Sequence, residues 1–141
     1  MRSAGNIDLK APVLVTMALV AAVSTGPAAA SGQDLTAGYE AAGAGPFSAA
    51  AGESAWGAEH HPPGADTARS CATCHGTDLT KPGRHATTGK SIEPMALSAN
   101  PQRLSDPIKT ERWFNRNCRW TLGRECTAQE KGDFVLLMQS R

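Results

Sequence analysis

The hydrophobic pattern opens with Ala11 to Val23 (APVLVTMALVAAV), a run without charge. Beyond it, apolar residues recur at helical spacing. Leu35 and Tyr39 stand four apart in DLTAGYEAA, which predicts a short helix over residues 34–42 with Asp34 as its N-cap. Gly43–Pro46 breaks it. Ser48 caps a second helix, Ala49 to about Trp56, in which Gly52 and Trp56 share a face. Gly57 to Ser70 is a loop rich in Gly, Pro and His, and residues 76–104 show too little periodicity to be anything but mostly loop. Asp106–Pro107 starts the next helix: Asp caps it, and Pro at the first position lacks only an N–H that had no partner. This helix is predicted through Ile108, Trp113 and Phe114 to about Arg116 or Asn117. Thr127-Ala-Gln-Glu130 is a capping box, followed by Phe134, Leu137 and Met138 on one face. With no repeats and no convincing strand, the fold class is all-α, a small helical domain with long loops.

The first apolar run has a different character. Arg2 and Lys10 precede it, small residues follow, and Ala28 and Ala30 fit cleavage before Ser31, so residues 1–30 read as a cleaved signal peptide. Its 13 residues are too few for an ordinary membrane span, which needs about 20. An uncleaved anchor and a buried core helix are the competing readings. The expected mature chain, residues 31–141, is one domain exported to the periplasm, with no stable membrane span after processing. A chain of that size supports a marginal core, usually helped by a cofactor or cross-link. It would carry 12 basic and 12 acidic residues, unevenly placed. Arg103–Arg124 holds six basic residues against Asp106 and Glu111. Such a stretch can steer an acidic protein partner, or it can be a solvated helix face. Near-zero net charge and few aromatics argue against nucleic acid.

The chemistry lies in Cys71-Ala72-Thr73-Cys74-His75, a C-x-x-C-H motif. Two thiols at this spacing add across the vinyl groups of haem as thioethers, and the adjacent imidazole becomes one axial ligand to the iron. A redox C-x-x-C would need a strand–helix context that is missing here. A zinc site would need Cys118 and Cys126 as its second pair, and their separation is poor for zinc. The chain is therefore expected to carry one covalent haem c. In an oxidising compartment, the remaining pair Cys118 and Cys126 reads first as a disulfide closing CRWTLGREC.

The second axial position separates the functional classes. A filled site, most often with Met, suits an electron carrier; an open or weakly held one suits a ligand binder. The candidates are Met95, Met138, His60, His61, His85 and Asn117. Met138 lies on an apolar stripe and reads as core. His60 and His61 sit in a polar loop, and His85 is only ten residues past His75. Asn117 follows Trp113 by four and Phe114 by three, so on a helix its amide shares an aromatic face, where it needs a partner. It also suits a C-terminal cap. A third class, a sensor or a peroxide- or nitrogen-oxide-reducing enzyme, needs an acid–base group beside the iron, and no residue stands out for it.

From Ser70 onward the chain resembles the sphaeroides haem protein family, small oxygen-binding class I cytochromes c. CATCHGTD, TGKSIEPMALSANPQRLSDP and above all ERWFNRNCRWTLGRECTAQEKGDF carry the likeness, and FSAAAGESAW fits earlier in the chain. The resemblance implies a class I cytochrome c fold, with Gly52 and Trp56 packing across Phe134 and Leu137. It implies Asn117 as the distal iron ligand in a pocket flanked by Trp113 and Phe114, and a Cys118–Cys126 disulfide. It also implies a small diatomic ligand such as O2 or NO and a redox partner, another cytochrome. The family carries Leu where this chain has Met95, which keeps Met95 as the alternative axial ligand. Asn117, a hard neutral ligand, is expected to hold ferric iron and to leave on reduction.

Overall fold

The computed structural model describes residues 27–141, with Met1. Most of the expected leader therefore lies outside the described residues. The elements are α1 (Pro27–Ala41), α2 (Ala49–Gly57), α3 (Ala72–His75), β1 (Gly83–Arg84), β2 (Ser91–Ile92), α4 (Pro107–Leu122) and α5 (Ala128–Gln139).

The C-terminal helix is the centre of the domain. Phe134, Leu137 and Met138 are buried, and so are Gly132, Asp133 and Val135, because α1 and α2 both pack on α5. A Cβ built on Gly52 would lie 2.4 Å from the Asp133 carbonyl oxygen, so α2 and α5 meet backbone to backbone there. Trp56 closes the same crossing edge-on to Phe134, ring centroids 6.0 Å apart. The start of α2 is fixed from both sides: Ser48 Oγ accepts from the Ala51 N–H, and Asp133 Oδ1 accepts from the Ser48 N–H at 2.7 Å. The capping box of α5 is complete, with Thr127 and Glu130 each accepting from the other's backbone N–H. At the other end of the core, the Tyr39 hydroxyl donates to Glu111, which also accepts from Lys131 Nζ at 2.7 Å. One carboxylate thus ties α1, α4 and α5 together.

Three expectations need correction. Asp34 is not a cap but an interior position of α1, since the helix begins at Pro27 and so includes the last four residues of the expected leader. The long helix does not end near Asn117. α4 starts as expected, with Asp106 accepting from the Lys109 N–H at 2.9 Å, but it runs on to Leu122. It stops at Gly123, whose φ of 72° is left-handed and whose N–H bonds the Arg119 carbonyl. Finally, the loop region holds a two-residue antiparallel ladder, Gly83 opposite Ile92 and Arg84 opposite Ser91, and His60 and Arg69 form an isolated bridge.

Candidate haem site

Cys71 to His75 form one tight turn. Its entry is fixed by a reciprocal pair: the Ser70 N–H donates to Thr73 Oγ1 at 2.9 Å, and the Thr73 N–H donates to Ser70 Oγ at 3.2 Å. Thr73, a spacer residue between the two thiols, thereby orders the turn that carries them. Gly76, at φ 71°, ends it. The Trp56 indole N–H donates to the Gly76 carbonyl at 2.9 Å, so the motif is bolted to α2. β1 presses on the other side: a Cβ at Gly83 would sit 2.3 Å from the Cys74 carbonyl oxygen.

The local chemistry suits covalent haem. Cys71 and Cys74 are free thiols, and burial pushes the Cys71 thiol up to about 11, opposite to the stabilised thiolate of a redox C-x-x-C. Burial, with a smaller contribution from the Arg103 charge, brings His75 down to about 4, so its imidazole is neutral at physiological pH, as metal ligation requires. His75 Nδ1 is buried and has no hydrogen-bond partner among the described residues. Paired thiols and a neutral, unpartnered imidazole on one turn therefore fit the group. Among the described residues, no three His, Cys, Asp or Glu side chains gather into a metal cage.

From His75 a line of rings leads to α4. Trp56 lies 5.4 Å from the imidazole, Phe134 lies 6.0 Å from Trp56, and Phe114 stacks on Phe134 at 6.3 Å. Asn117 follows Phe114 by one turn. It is half-buried in the helix interior, and its carboxamide bonds no described residue. The helix cap is Gly123, so the cap reading of Asn117 does not apply. Trp113 is 45% exposed, with the Arg116 guanidinium over its ring at 4.9 Å. Cys118 and Cys126 are bonded to each other, Cα atoms 5.5 Å apart, joining α4 to the start of α5.

The other candidates are dispersed. The Met95 N–H donates to the carbonyl of Leu79, four residues past His75. The preceding Pro94 carbonyl accepts from Arg103 Nε at 2.9 Å. Met138 is core, 2% exposed. His85 Nδ1 accepts from the Thr87 and Thr88 N–H groups within the hairpin turn. His60 pairs its backbone with Arg69, and His61 is exposed. Arg69, Ser70, Thr73 and Arg103 were not singled out in the sequence; only the Ser-x-x-Thr spacing around Cys71 hinted at one of these roles.

A protein family described as a domain of unknown function (DUF1924) matches residues 42–138. The cytochrome c-type protein SHP of Cereibacter sphaeroides is 42% identical over 120 residues, covering 83% of this chain and 92% of that protein. The structure of oxidised SHP, described as an oxygen-binding cytochrome c, matches with a TM-score of 0.72 at 40% identity, covering 78% of this chain and 96% of that one. The solution structure of Methylophilus methylotrophus cytochrome c'', described as giving insight into haem-ligand detachment, matches with a TM-score of 0.67 at 28% identity, covering 79% of this chain and 96% of that one.

Proposed function

This chain belongs to the SHP family of c-type cytochromes and carries one covalently bound haem, and on that footing we propose that it binds a small diatomic such as O2 or NO at a distal site that Asn117 closes when oxidised and vacates on reduction. The haem supplies a metal centre that takes up an electron and accepts a diatomic. Cys71 and Cys74 would hold the ring, and neutral His75 would bind its metal. The Asn117 carboxamide oxygen is a hard, neutral, weak ligand. It prefers the ferric state and yields in the softer ferrous state. Phe114 and Trp113 flank the space it leaves, and its amide then serves as a hydrogen-bond donor. The Cys118–Cys126 link keeps it near enough to return on oxidation.

One observation carries this reading: the only two sequence candidates of consequence lie on different elements. The Met95 N–H is tied to the Leu79 carbonyl, in the loop that leaves the attachment turn, whereas Asn117 stands on α4, one turn past Phe114. Asn117 is a half-buried amide with no partner among the described residues, one turn from Phe114, and such a group is costly unless something binds it. The oxygen-binding description of SHP and the ligand-detachment description of cytochrome c'' support the same reading.

Export and partner complete the proposal. The charged start, apolar run and small-residue end before Ser31 support a signal peptide and a periplasmic location. No helix among the described residues is long and apolar enough to cross a membrane. Of the basic stretch, Arg119 and Arg124 pair with Glu125 and Glu130 and Arg103 grips backbone carbonyls, while Lys109, Arg112 and Arg116 have no ion pair among the described residues. That strip of α4 suits an acidic redox partner, another cytochrome.

The test is spectroscopic. Reduced protein without added ligand should be five-coordinate and should bind CO; a six-coordinate low-spin reduced form would overturn the proposal. Asn117→Ala should change the ferric spectrum and Met95→Leu should leave it unchanged. A far-red sulfur–iron band that disappears in Met95→Leu would instead make the chain an ordinary His/Met electron carrier.

A further inference from the structure

We propose that Arg69 is a positioning residue for Asn117, linking the haem-attachment turn directly to the last turn of α4; this rests on the reading of Asn117 as distal ligand. Arg69 stands two residues before Cys71. Its Nη1 donates to the Trp120 carbonyl at 3.0 Å, and its guanidinium lies over the Trp120 ring at 4.4 Å. Both contacts fall on one residue, three positions past Asn117. The carbonyl is one that α4 cannot satisfy itself, because the helix ends at Leu122 and the donor four residues on lies outside it. A cation there also meets the negative end of the helix dipole.

The anchor is firm on both sides. The Arg69 backbone exchanges two hydrogen bonds of 2.8 Å with His60, and Ser70 immediately begins the pair that orders the cysteine turn. On the α4 side, a Cβ at Gly123 would meet Pro63 at 3.0 Å and Pro62 at 3.1 Å, so the same loop touches the helix end a second time. Arg69 thus joins the attachment turn to the end of α4 through one planar side chain that both bonds and stacks. A planar fork can do both at once, whereas an ammonium can do only one well. The position of Asn117 on α4 would then be set by the same loop that delivers the thiols.

The test compares Arg69→Met and Arg69→Lys with the parent holo-protein in two titrations. Imidazole binding to the ferric form competes with Asn117, so its apparent affinity reports the fraction of protein with Asn117 displaced. CO binding to the ferrous form does not compete if Asn117 has already left. Arg69→Met should raise ferric imidazole affinity by about threefold to fivefold, since the Cys118–Cys126 link and the two prolines still hold the helix end. Arg69→Lys should fall between, and ferrous CO affinity should stay within about twofold for both, since nothing competes there. Adding Arg69→Met to Asn117→Ala should have no further effect on imidazole. Equal changes in both titrations, or an additive effect on top of Asn117→Ala, would mean general loosening and would overturn the inference. Should Asn117→Ala itself leave imidazole affinity unchanged, the ligation reading fails. Should it raise affinity while both Arg69 variants match the parent, only the positioning role fails.

Discussion

Replacing Cys118 and Cys126 together with Ala tests how the end of α4 is held. The bonded cysteines are eight positions apart, and closing so short a loop restricts the unfolded chain by about 2.5 kcal/mol on the chain-entropy account. Both side chains are buried, at 5% and 7% exposure, so losing two sulfurs from the core adds roughly 1.5 kcal/mol at about 0.8 per methylene-sized group. The total is about 4 kcal/mol against a typical domain stability of roughly 5–15. At about 4 °C per kcal/mol for a chain of this size, Tm should fall by about 15 °C.

The same variant carries a second, local expectation. Asn117 is the neighbour of Cys118, but Arg69 on Trp120 and the two prolines on Gly123 still hold the helix end. Ferric imidazole affinity should therefore rise only a few-fold, about threefold to fivefold, while the helix remains docked. Thermal unfolding followed by circular dichroism and an imidazole titration at 25 °C measure the two effects separately. A Tm drop of less than about 5 °C would refute the entropic argument, since it would fall below even the packing loss. A large Tm drop with no change in imidazole affinity would refute the coupling of the cross-link to Asn117.

Two further predictions concern the core and the last helix. Gly52→Ala gains up to about 1 kcal/mol of helix propensity but forces a Cβ to 2.4 Å from the Asp133 carbonyl, so a net loss of about 2 kcal/mol and a Tm lower by about 8 °C are expected; an unchanged or raised Tm would show that α2 and α5 do not meet backbone to backbone. Glu130 is held down to about 2, first by its hydrogen bond to Arg124 and then by the Thr127 N–H, so it contributes stability that is present above the ordinary carboxylate value of 4.5 and lost as pH falls from there to about 2. Discounted for partial exposure, that contribution is about 1–2 kcal/mol; Glu130→Gln keeps the capping geometry, so the gap to the parent should be full at pH 6 and down to about a quarter at pH 2.5, and a gap that does not narrow would sink the assignment.

What could be read in the sequence was local. The Asp106-Pro107 start, the Thr127–Glu130 box and the Gly52/Trp56 spacing each depend on residues within one or two turns, and each is found as expected. The end of α4 is not legible from spacing, because an amide after two aromatics has two uses, cap and ligand, and spacing alone does not choose between them. The real stop, Gly123, lay inside the segment already taken up by the cysteine loop. The β1–β2 ladder has two residue pairs, too short for any alternation to show. Arg69 and Trp120 are 51 positions apart, and the Met95 N–H reaches back to Leu79; contacts of that range leave no periodic trace.

These long-range contacts determine how a switch at Asn117 would have to work. Around that residue the helix is fixed at Phe114 by Phe134, at Cys118 by Cys126, at Trp120 by Arg69 and at Gly123 by the prolines. A backbone held at four places within ten residues has little freedom to slide, so release of Asn117 would be a rotation of its own two side-chain torsions. Such a movement stores little energy in the protein. Driving the side chain from about 99:1 bound to 1:99 released needs a differential of about 5.5 kcal/mol. Neither strain nor helix motion is available to supply it, which leaves the change of metal charge acting on a carboxamide. On the proposed reading the fold's part is to keep that ligand weak, neutral and always within reach, and the reduction state alone decides which way it turns.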